Sequence, residues 1–538
     1  MDGRQQERIL HWLEEEEEEI LGGEYDEDGN HIYPDETSEH NTDSEQECDD
    51  GDPETQDHVS ESSEDQQMDV DSSDSDDNEP LIHITRRQNI VTEQPGPQGT
   101  ARAVSNPFES WLLFLDVDML QHIVECTNIK IASMQTNYER QRDCEETNII
   151  ELKALIGIMY LIGIHKSSHA LIDDIWMADG TGLDKCRASM SKQRFRFLLR
   201  VLRFDNIHTR EQRKAVDKLA PIREIFEQFV KNCQINYKNT EYVTIDEMLE
   251  SFRGSCGFRQ YMPSKPAKYG IKLFSLVDAM TFYTKNLEIY VGKQPEGPYF
   301  QDTSTKALVK RMIEPISGTG RNVTMDNWFT SVPLAEDLLT NHNLTVVGTL
   351  RKNKPEIPSE FKRKGLQVHS TAFGYKPTET LLSYCPKKDK TVLLLSTMHN
   401  EGIIDETSEK KIPEIIIFYN KTKGGVDVVD KLIGTYTVAR VCYRWPLRLF
   451  FTMLDVGAVN AHIILNTVNP NNRIGRKLFL KTLAFELCRP QLESRATIST
   501  LPRELKQLIL RFVPRPVDVP HEDTGFVPTR KRLHQGNR

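Results

Sequence analysis

Val323-Thr324-Met325-Asp326 is a short β-branched stretch that stops on an aspartate, and together with the run after it this stretch decides the fold. Between Phe329 and Thr340, Leu334, Leu338 and Leu339 recur at helical spacing. A strand, an acidic residue at its carboxyl end and an immediate helix make an α/β unit. Upstream, residues 242–245, 270–278 and 287–291 read as three more strands, because β-branched and aromatic residues are frequent in them and turn residues bound them. Residues 344–349 supply another strand after the helix. The first strand of the set ends on the same pattern, Val243-Thr244-Ile245-Asp246.

Outward from this unit the texture changes twice. Trp111, Leu112, Phe114, Leu115, Met119, Leu120, Ile123 and Val124 recur at helical spacing, as do Leu152, Leu155, Ile156, Met159, Tyr160 and Ile164, so residues 107–238 read as mostly helical. On the other side, residues 351–412 are Lys-, Pro- and Ser-rich and interrupt the unit. A strand pair at 380–384 and 392–396 predicts an inserted β subdomain there. Residues 414–418 predict a strand that resumes the sheet, and 424–436 the start of a helix. Residues 441–514 are again helical, and a loose tail from Pro514 runs to Arg530-Lys531-Arg532.

The 538-residue chain has a formal net charge of −14, unevenly spread. Residues 1–80 hold 32 Asp and Glu against two Arg, whereas residues 81–538 hold 65 Lys and Arg against 49 Asp and Glu. An acidic arm is thus attached to a basic body. Such a body suits a polyanionic partner, although a solvated surface carries the same charge without one. Residues 1–104 cannot bury enough apolar surface to offset their ordering entropy and are expected to be disordered, apart from a short amphipathic helix around Ile9–Ile20. The arm reads as a solubilising tail or as a decoy for basic groups. The apolar run 154–164 is too short for a bilayer, which takes about 20 residues. No signal peptide opens the chain, and nine cysteines without a C-x-x-C pair fit reduced thiols. These features predict a soluble intracellular protein with no membrane partner.

Three aspartates stand where an α/β sheet gathers its ligands, at the carboxyl ends of strands and the start of the last helix. Asp246 and Asp326 end two strands; Asp427 follows Gly424-Gly425-Val426, with Asp430 three residues on and hence on the same helix face. Mg²⁺ takes oxygen ligands, commonly one or two carboxylates plus water and phosphate oxygens. Two such ions serve phosphoryl transfer by activating the attacking oxygen and stabilising the leaving one. Aspartates at strand ends also serve as turn and helix-cap residues, and spacing alone leaves both readings open.

Longer words surround these aspartates. They are Thr244-Ile245-Asp246-Glu247, Phe252-Arg253-Gly254, Pro263-Ser264-Lys265-Pro266-Ala267-Lys268-Tyr269-Gly270-Ile271-Lys272, Asp326-Asn327-Trp328-Phe329-Thr330-Ser331, Tyr419-Asn420-Lys421-Thr422-Lys423-Gly424-Gly425-Val426-Asp427 and Arg444-Trp445-Pro446. In these words, from about Asn106 to about Pro514, the chain resembles the piggyBac family of DNA transposases. The resemblance implies an α/β RNase H-like catalytic core with an inserted β-rich subdomain, flanked by mainly α-helical segments for dimerisation and DNA binding. It divides the chain into a disordered acidic tail (1–104), a first helical segment (105–240), the core in two parts (241–350 and 414–436) around the insertion (351–413), a second helical segment (437–514) and a basic tail (515–538). Asp246, Asp326 and Asp427 match the family's metal-binding catalytic triad, and Asp430 matches a further residue needed for activity. The implied reaction is cut-and-paste transposition at TTAA sites with Mg²⁺, or Mn²⁺ in its place. The implied partners are double-stranded DNA and a second copy of the chain, in the nucleus, with no small-molecule substrate.

Basic residues flank the same words. Arg253, Arg259, Lys265, Lys268 and Lys272, with Tyr261 and Tyr269 among them, follow the first aspartate, and Lys421, Lys423, Arg440 and Arg444 lie near the third. Cations so placed position a phosphate backbone without reading its sequence; a solvent-facing hairpin is the alternative for the first group. Trp328 and Trp445 read as core aromatics rather than base-stacking platforms. Family members commonly end in a cysteine-rich, zinc-binding module after a basic stretch like Arg530-Lys531-Arg532, and here only Leu533-His534-Gln535-Gly536-Asn537-Arg538 follow. No zinc site is therefore expected. A domesticated, transposase-derived DNA-binding or chromatin protein without transposition activity is the alternative function.

Overall fold

The structure, a computed structural model, describes residues 90–513 apart from Ser264 and Lys364. The acidic arm up to residue 89, the Ile9–Ile20 helix and the tail with Arg530-Lys531-Arg532 lie outside the described residues. In chain order the strands are β1 (Gly96–Pro97), β2 (Tyr237–Lys238), β3 (Tyr242–Ser251), β4 (Arg259–Tyr261), β5 (Tyr269–Asp278), β6 (Thr284–Ile289), β7 (Asn322–Met325), β8 (Thr345–Thr349), β9 (Thr371–Tyr375), β10 (Thr380–Lys387) and β11 (Lys390–Ser396). β1 and β2 form a small antiparallel ladder. The rest make one nine-stranded sheet in the order β4-β5-β3-β7-β8-β11-β10-β9, with β6 also pairing along β5.

The centre of the sheet is mixed. β3 runs antiparallel to β5 and parallel to β7, and β7 runs parallel to β8. Parallel neighbours need crossovers, usually helical. The Thr305–Ile313 helix precedes β7 and the Val332–His342 helix follows it. Strand alternation then sorts the side chains. Val243, Ile245, Val323 and Met325 face those two helices through Leu308, Met312, Leu334 and Leu338. The opposite face carries Tyr242, Val347 and Leu394 against Ile415 and Phe418 of the Glu414–Thr422 helix.

Four expectations need correction. Residues 414–418 are helical, not a strand: the run Ile415-Ile416-Ile417 is β-branched, but Ile415, Phe418 and Thr422 are buried at helical spacing while Ile417 is 43% exposed. The strands of 351–412 do not stand apart, because Leu394, Leu395 and Ser396 of β11 pair with Thr349, Gly348 and Val347 of β8, extending the main sheet. Residues 90–104 are not all disordered tail, since β1 pairs with β2 and the Glu93 carboxylate accepts from Lys238 and from Arg321, 3.2 Å away. β6 starts at Thr284 rather than at residue 287. Lys285 and Asn286 hid its start. Both are buried there by donating to carbonyls, Lys285 to those of Gln234 and Tyr237, Asn286 to those of Arg311 and Met312.

The helical segments before and after the sheet pack into one large core. Among the described residues one helix, Trp445–Val468, is long and apolar enough to cross a membrane. It is the central helix of that core, 83% buried over its apolar window, with Asp455 and Asn460 buried along it.

Candidate active site

Strand register brings the first two aspartates together. β3 and β7 pair in parallel with Thr244 opposite Thr324 and Ile245 opposite Met325. Asp246 and Asp326 come next, each one residue past the last pair of two strands that lie about 4.8 Å apart. β7 ends at Met325, so Asp326 turns out of the ladder and its Oδ1 accepts the N–H groups of Trp328 at 2.9 Å and Phe329 at 3.3 Å. Asp246 does not end its strand, as expected from sequence, because β3 continues to Ser251 along the ten-residue β5. Glu247 and Glu250 masked that continuation; Glu250 is buried in an ion pair with Arg448 at 2.8 Å.

Both carboxyls are half-buried and displaced in the same direction. Burial pushes Asp246 up to about 7, reinforced by the charges of Glu247 and Asp326 and opposed by Lys265. Burial also raises Asp326, against the two N–H groups it accepts and the nearby Arg351 and Lys272 cations. Two partly desolvated carboxylates within each other's field are an oxygen-only donor set that favours a hard cation.

The third aspartate arrives on a helix pinned to the same strands. Thr244 Oγ1 donates to the Thr422 carbonyl at 2.6 Å, Thr324 Oγ1 to Thr422 Oγ1 at 2.8 Å, and Thr422 Oγ1 to the Phe418 carbonyl at 2.9 Å. The next helix, Gly425–Thr435, starts so close to β3 that a Cβ on Gly425 would sit 2.8 Å from Thr244 Oγ1. Asp427 is exposed on this helix, and Asp430 is half-buried, raised to about 7 by burial and then by Glu250. Tyr419 lies within the field of all three predicted ligands: burial pushes its phenol up to about 12, with Asp326, Asp246 and Asp427 adding to the shift.

Among the described residues, no three Asp, Glu, His or Cys side chains stand together within metal-binding range. Asp246 feels the charge of Asp326, while Asp427 is open to solvent on the adjoining helix. The pair fits a cation such as Mg²⁺, which takes one or two carboxylates and fills its other positions with water and phosphate oxygens.

The predicted basic residues divide into two groups. Lys265 donates to the Glu247 carbonyl at 3.3 Å, beside Asp246. Lys272 lies 4.8 Å above the Trp328 ring and 3.9 Å from Glu247. Arg253, Lys268, Lys421 and Lys423 are exposed, Lys423 over the Tyr419 ring at 5.6 Å. Arg259 is half-buried, donating to the Arg253 carbonyl at 2.9 Å and stacking on Tyr269. Arg440 and Arg444 are corrections: they are 4% and 6% exposed. Arg440 donates to the carbonyls of Ser167 and Ala170, and Arg444 to those of Leu199, Arg200 and Leu202 at the end of the Lys192–Val201 helix. Both guanidinium groups are committed inside the protein. Trp328 stacks on Phe274 and Trp445 packs edge-on against Phe258, as core aromatics do. Sequence reasoning missed Tyr419, Thr422 and the two strand threonines. The signal for the last two was the repeated Thr-x-Asp, Thr244-Ile245-Asp246 and Thr324-Met325-Asp326.

The profile of the family described as transposase IS4 matches residues 106–462, more than half of the chain and all four aspartates. The chain belongs to this transposase family, in its piggyBac type. It is 24% identical over 386 residues to human piggyBac transposable element-derived protein 3, a match that covers 68% of this chain and 63% of that protein. The chain thus spans less than two thirds of that relative's length. A similar match, 24% identity over 386 residues, covers 35% of the human chimeric ERCC6-PGBD3 protein. The fold resembles that of a solved piggyBac transposase in a synaptic complex with hairpin DNA, with a TM-score of 0.75 and 33% identity over 80% of this chain and 90% of that one.

Proposed function

We propose that this chain is a piggyBac-type DNA transposase, or a nuclease derived from one, that cuts and joins double-stranded DNA at TTAA sites as a nuclear homodimer. The observation that carries the reading is the register of β3 and β7, whose last pair, Ile245 and Met325, is followed on each chain segment by a partly desolvated aspartate. An RNase H-like core is supported by the strand order around it: antiparallel β3, β5 and β6, with β7 added in parallel beside β3 and β8 in parallel beside β7.

Asp246 and Asp326 would hold the divalent cation, Mg²⁺ or Mn²⁺, with Asp427 as the third ligand and Asp430 assisting. Bound there, the ion supplies charge to activate an attacking oxygen and to stabilise the leaving one. The chain's own residues orient the substrate. Lys265 and Lys272 neutralise phosphate beside the carboxylates, and exposed Arg253, Lys268, Lys421 and Lys423 extend that cationic edge along a backbone. Tyr419 stays protonated at neutral pH within the field of the three aspartates.

The second reading is a domesticated DNA-binding protein that no longer cleaves. The exposure of Asp427 favours it. The two separate in one assay, in which the purified chain and Asp326→Asn are incubated with TTAA-bearing duplex and Mg²⁺ while binding is measured on the same samples. The transposase reading expects cleavage by the parent alone, with duplex affinity nearly unchanged in the variant. Binding without cleavage by either protein favours the second reading, and equal cleavage by both removes the carboxylate mechanism.

A further inference from the structure

Thr244 and Thr324 each precede an aspartate by two residues; strand alternation puts Thr244 on the same face as Asp246, while Asp326 lies one residue past the end of β7. Both are fully buried, at 2% and 0% exposure, and both hydroxyls reach the same residue. Thr422 is the last residue of the Glu414–Thr422 helix, and its carbonyl belongs to a helix end that has no intrahelical partner. Thr244 supplies that partner. The Thr422 hydroxyl accepts from Thr324 and donates to the Phe418 carbonyl, so it is spent between β7 and its own helix.

We infer that the Thr244–Thr422–Thr324 clamp is a positioning device that fixes the helix start carrying Asp427 relative to Asp246 and Asp326, and so sets the affinity of the site for a divalent cation. The inference rests on the metal-dependent reading of the same site. Packing alone does not require the hydroxyls, because valine fills threonine's shape and suits a strand as well. Nor is there slack beyond the clamp. Gly425 follows three residues later against Thr244 Oγ1 at a distance that excludes any Cβ, so a shift of the junction is transmitted to Asp427 two residues further on. Outer partners of metal ligands act in this way elsewhere, where their loss weakens metal affinity by roughly 10- to 100-fold.

The test uses the full chain with Mn²⁺ as the probe, its binding followed by paramagnetic resonance in the absence of DNA. Thr244→Val and Thr324→Val are compared with Thr244→Ser, Thr324→Ser and Thr345→Val. Thr345 is a buried threonine of β8 in the same sheet whose hydroxyl accepts from Asn322, itself reached by Thr324 at 3.4 Å, and makes no bond to Thr422. The expected result is Mn²⁺ binding weakened by roughly tenfold or more in the two clamp valines, restored by serine, and equal to the parent in Thr345→Val. Melting curves identify variants that fold, and metal-free duplex affinity is expected to stay within about twofold of the parent, because the substitutions change only buried strand threonines and remove no cation. Parent-like Mn²⁺ affinity in the clamp valines overturns the inference and leaves the metal site standing. So does an equal loss in Thr345→Val. No Mn²⁺ binding by the parent overturns the metal reading itself, and this inference with it.

Discussion

Arg444 lies in a word shared with a DNA-handling family, yet the structure turns its guanidinium inward. Replacing it with methionine keeps the stem and removes the donors to the carbonyls of Leu199, Arg200 and Leu202. Hydrogen bonds from a charged donor contribute about 1.5–3 kcal/mol each, and buried acceptors left alone add to the loss. Because three acceptors share one group and the site relaxes in part, the net cost is about 3–5 kcal/mol, at the high end for one substitution. With about 2.1 cal/mol/K of unfolding entropy per residue over roughly 400 ordered residues, Tm falls by about 4–6 °C. The companion measurement is duplex affinity against salt. An arginine neutralising one phosphate contributes about 0.9 to the slope of log affinity on log salt. Arg444→Met should lower Tm and leave that slope unchanged. An unchanged Tm with a slope reduced by about one would refute the inward assignment.

Buried charges give two further outcomes. Asp455 is fully buried and its carboxyl is pushed up to about 7 by burial, from 3.8. A folded value above the unfolded one means that its stabilisation is complete below about pH 4 and is lost as pH rises through about 7. Asp455→Asn should therefore flatten stability across that window, by up to about 4 kcal/mol, when melting is followed against pH; an unchanged profile would contradict it. Glu93→Gln removes the carboxylate that meets Lys238 and the 2%-exposed Arg321. It should cost about 1–3 kcal/mol and speed proteolysis near residues 90–98, and an identical melting and cleavage pattern would count against that tie.

The sheet's centre was legible because its strands are β-branched and bounded by turn residues. Its flanks were not. Ile415-Ile416-Ile417 has strand composition but buries a helical stripe, and tertiary packing overrode propensity there. β3 runs past Asp246 because a buried Glu250–Arg448 pair tolerates a charge that the sequence pattern reads as a strand end. The site was half legible. The aspartates stood out as words, whereas the pairing of Asp246 with Asp326 depends on register, which no local sequence states. Arginines read as phosphate contacts by residue type, and only burial separates Arg440 and Arg444 from Arg253. Thr422 gave no signal, since its importance lies in what two distant strands donate to it.

The most direct test of the paired carboxylates is single-turnover nicking of TTAA-bearing duplex in Mg²⁺ by Asp246→Asn, Asp326→Asn and the double variant, beside the parent. Groups that act as one unit are non-additive. The account predicts that either single substitution abolishes nicking, with DNA still bound, and that the double variant is no worse than either. Nicking at the parental rate by either single variant would contradict it.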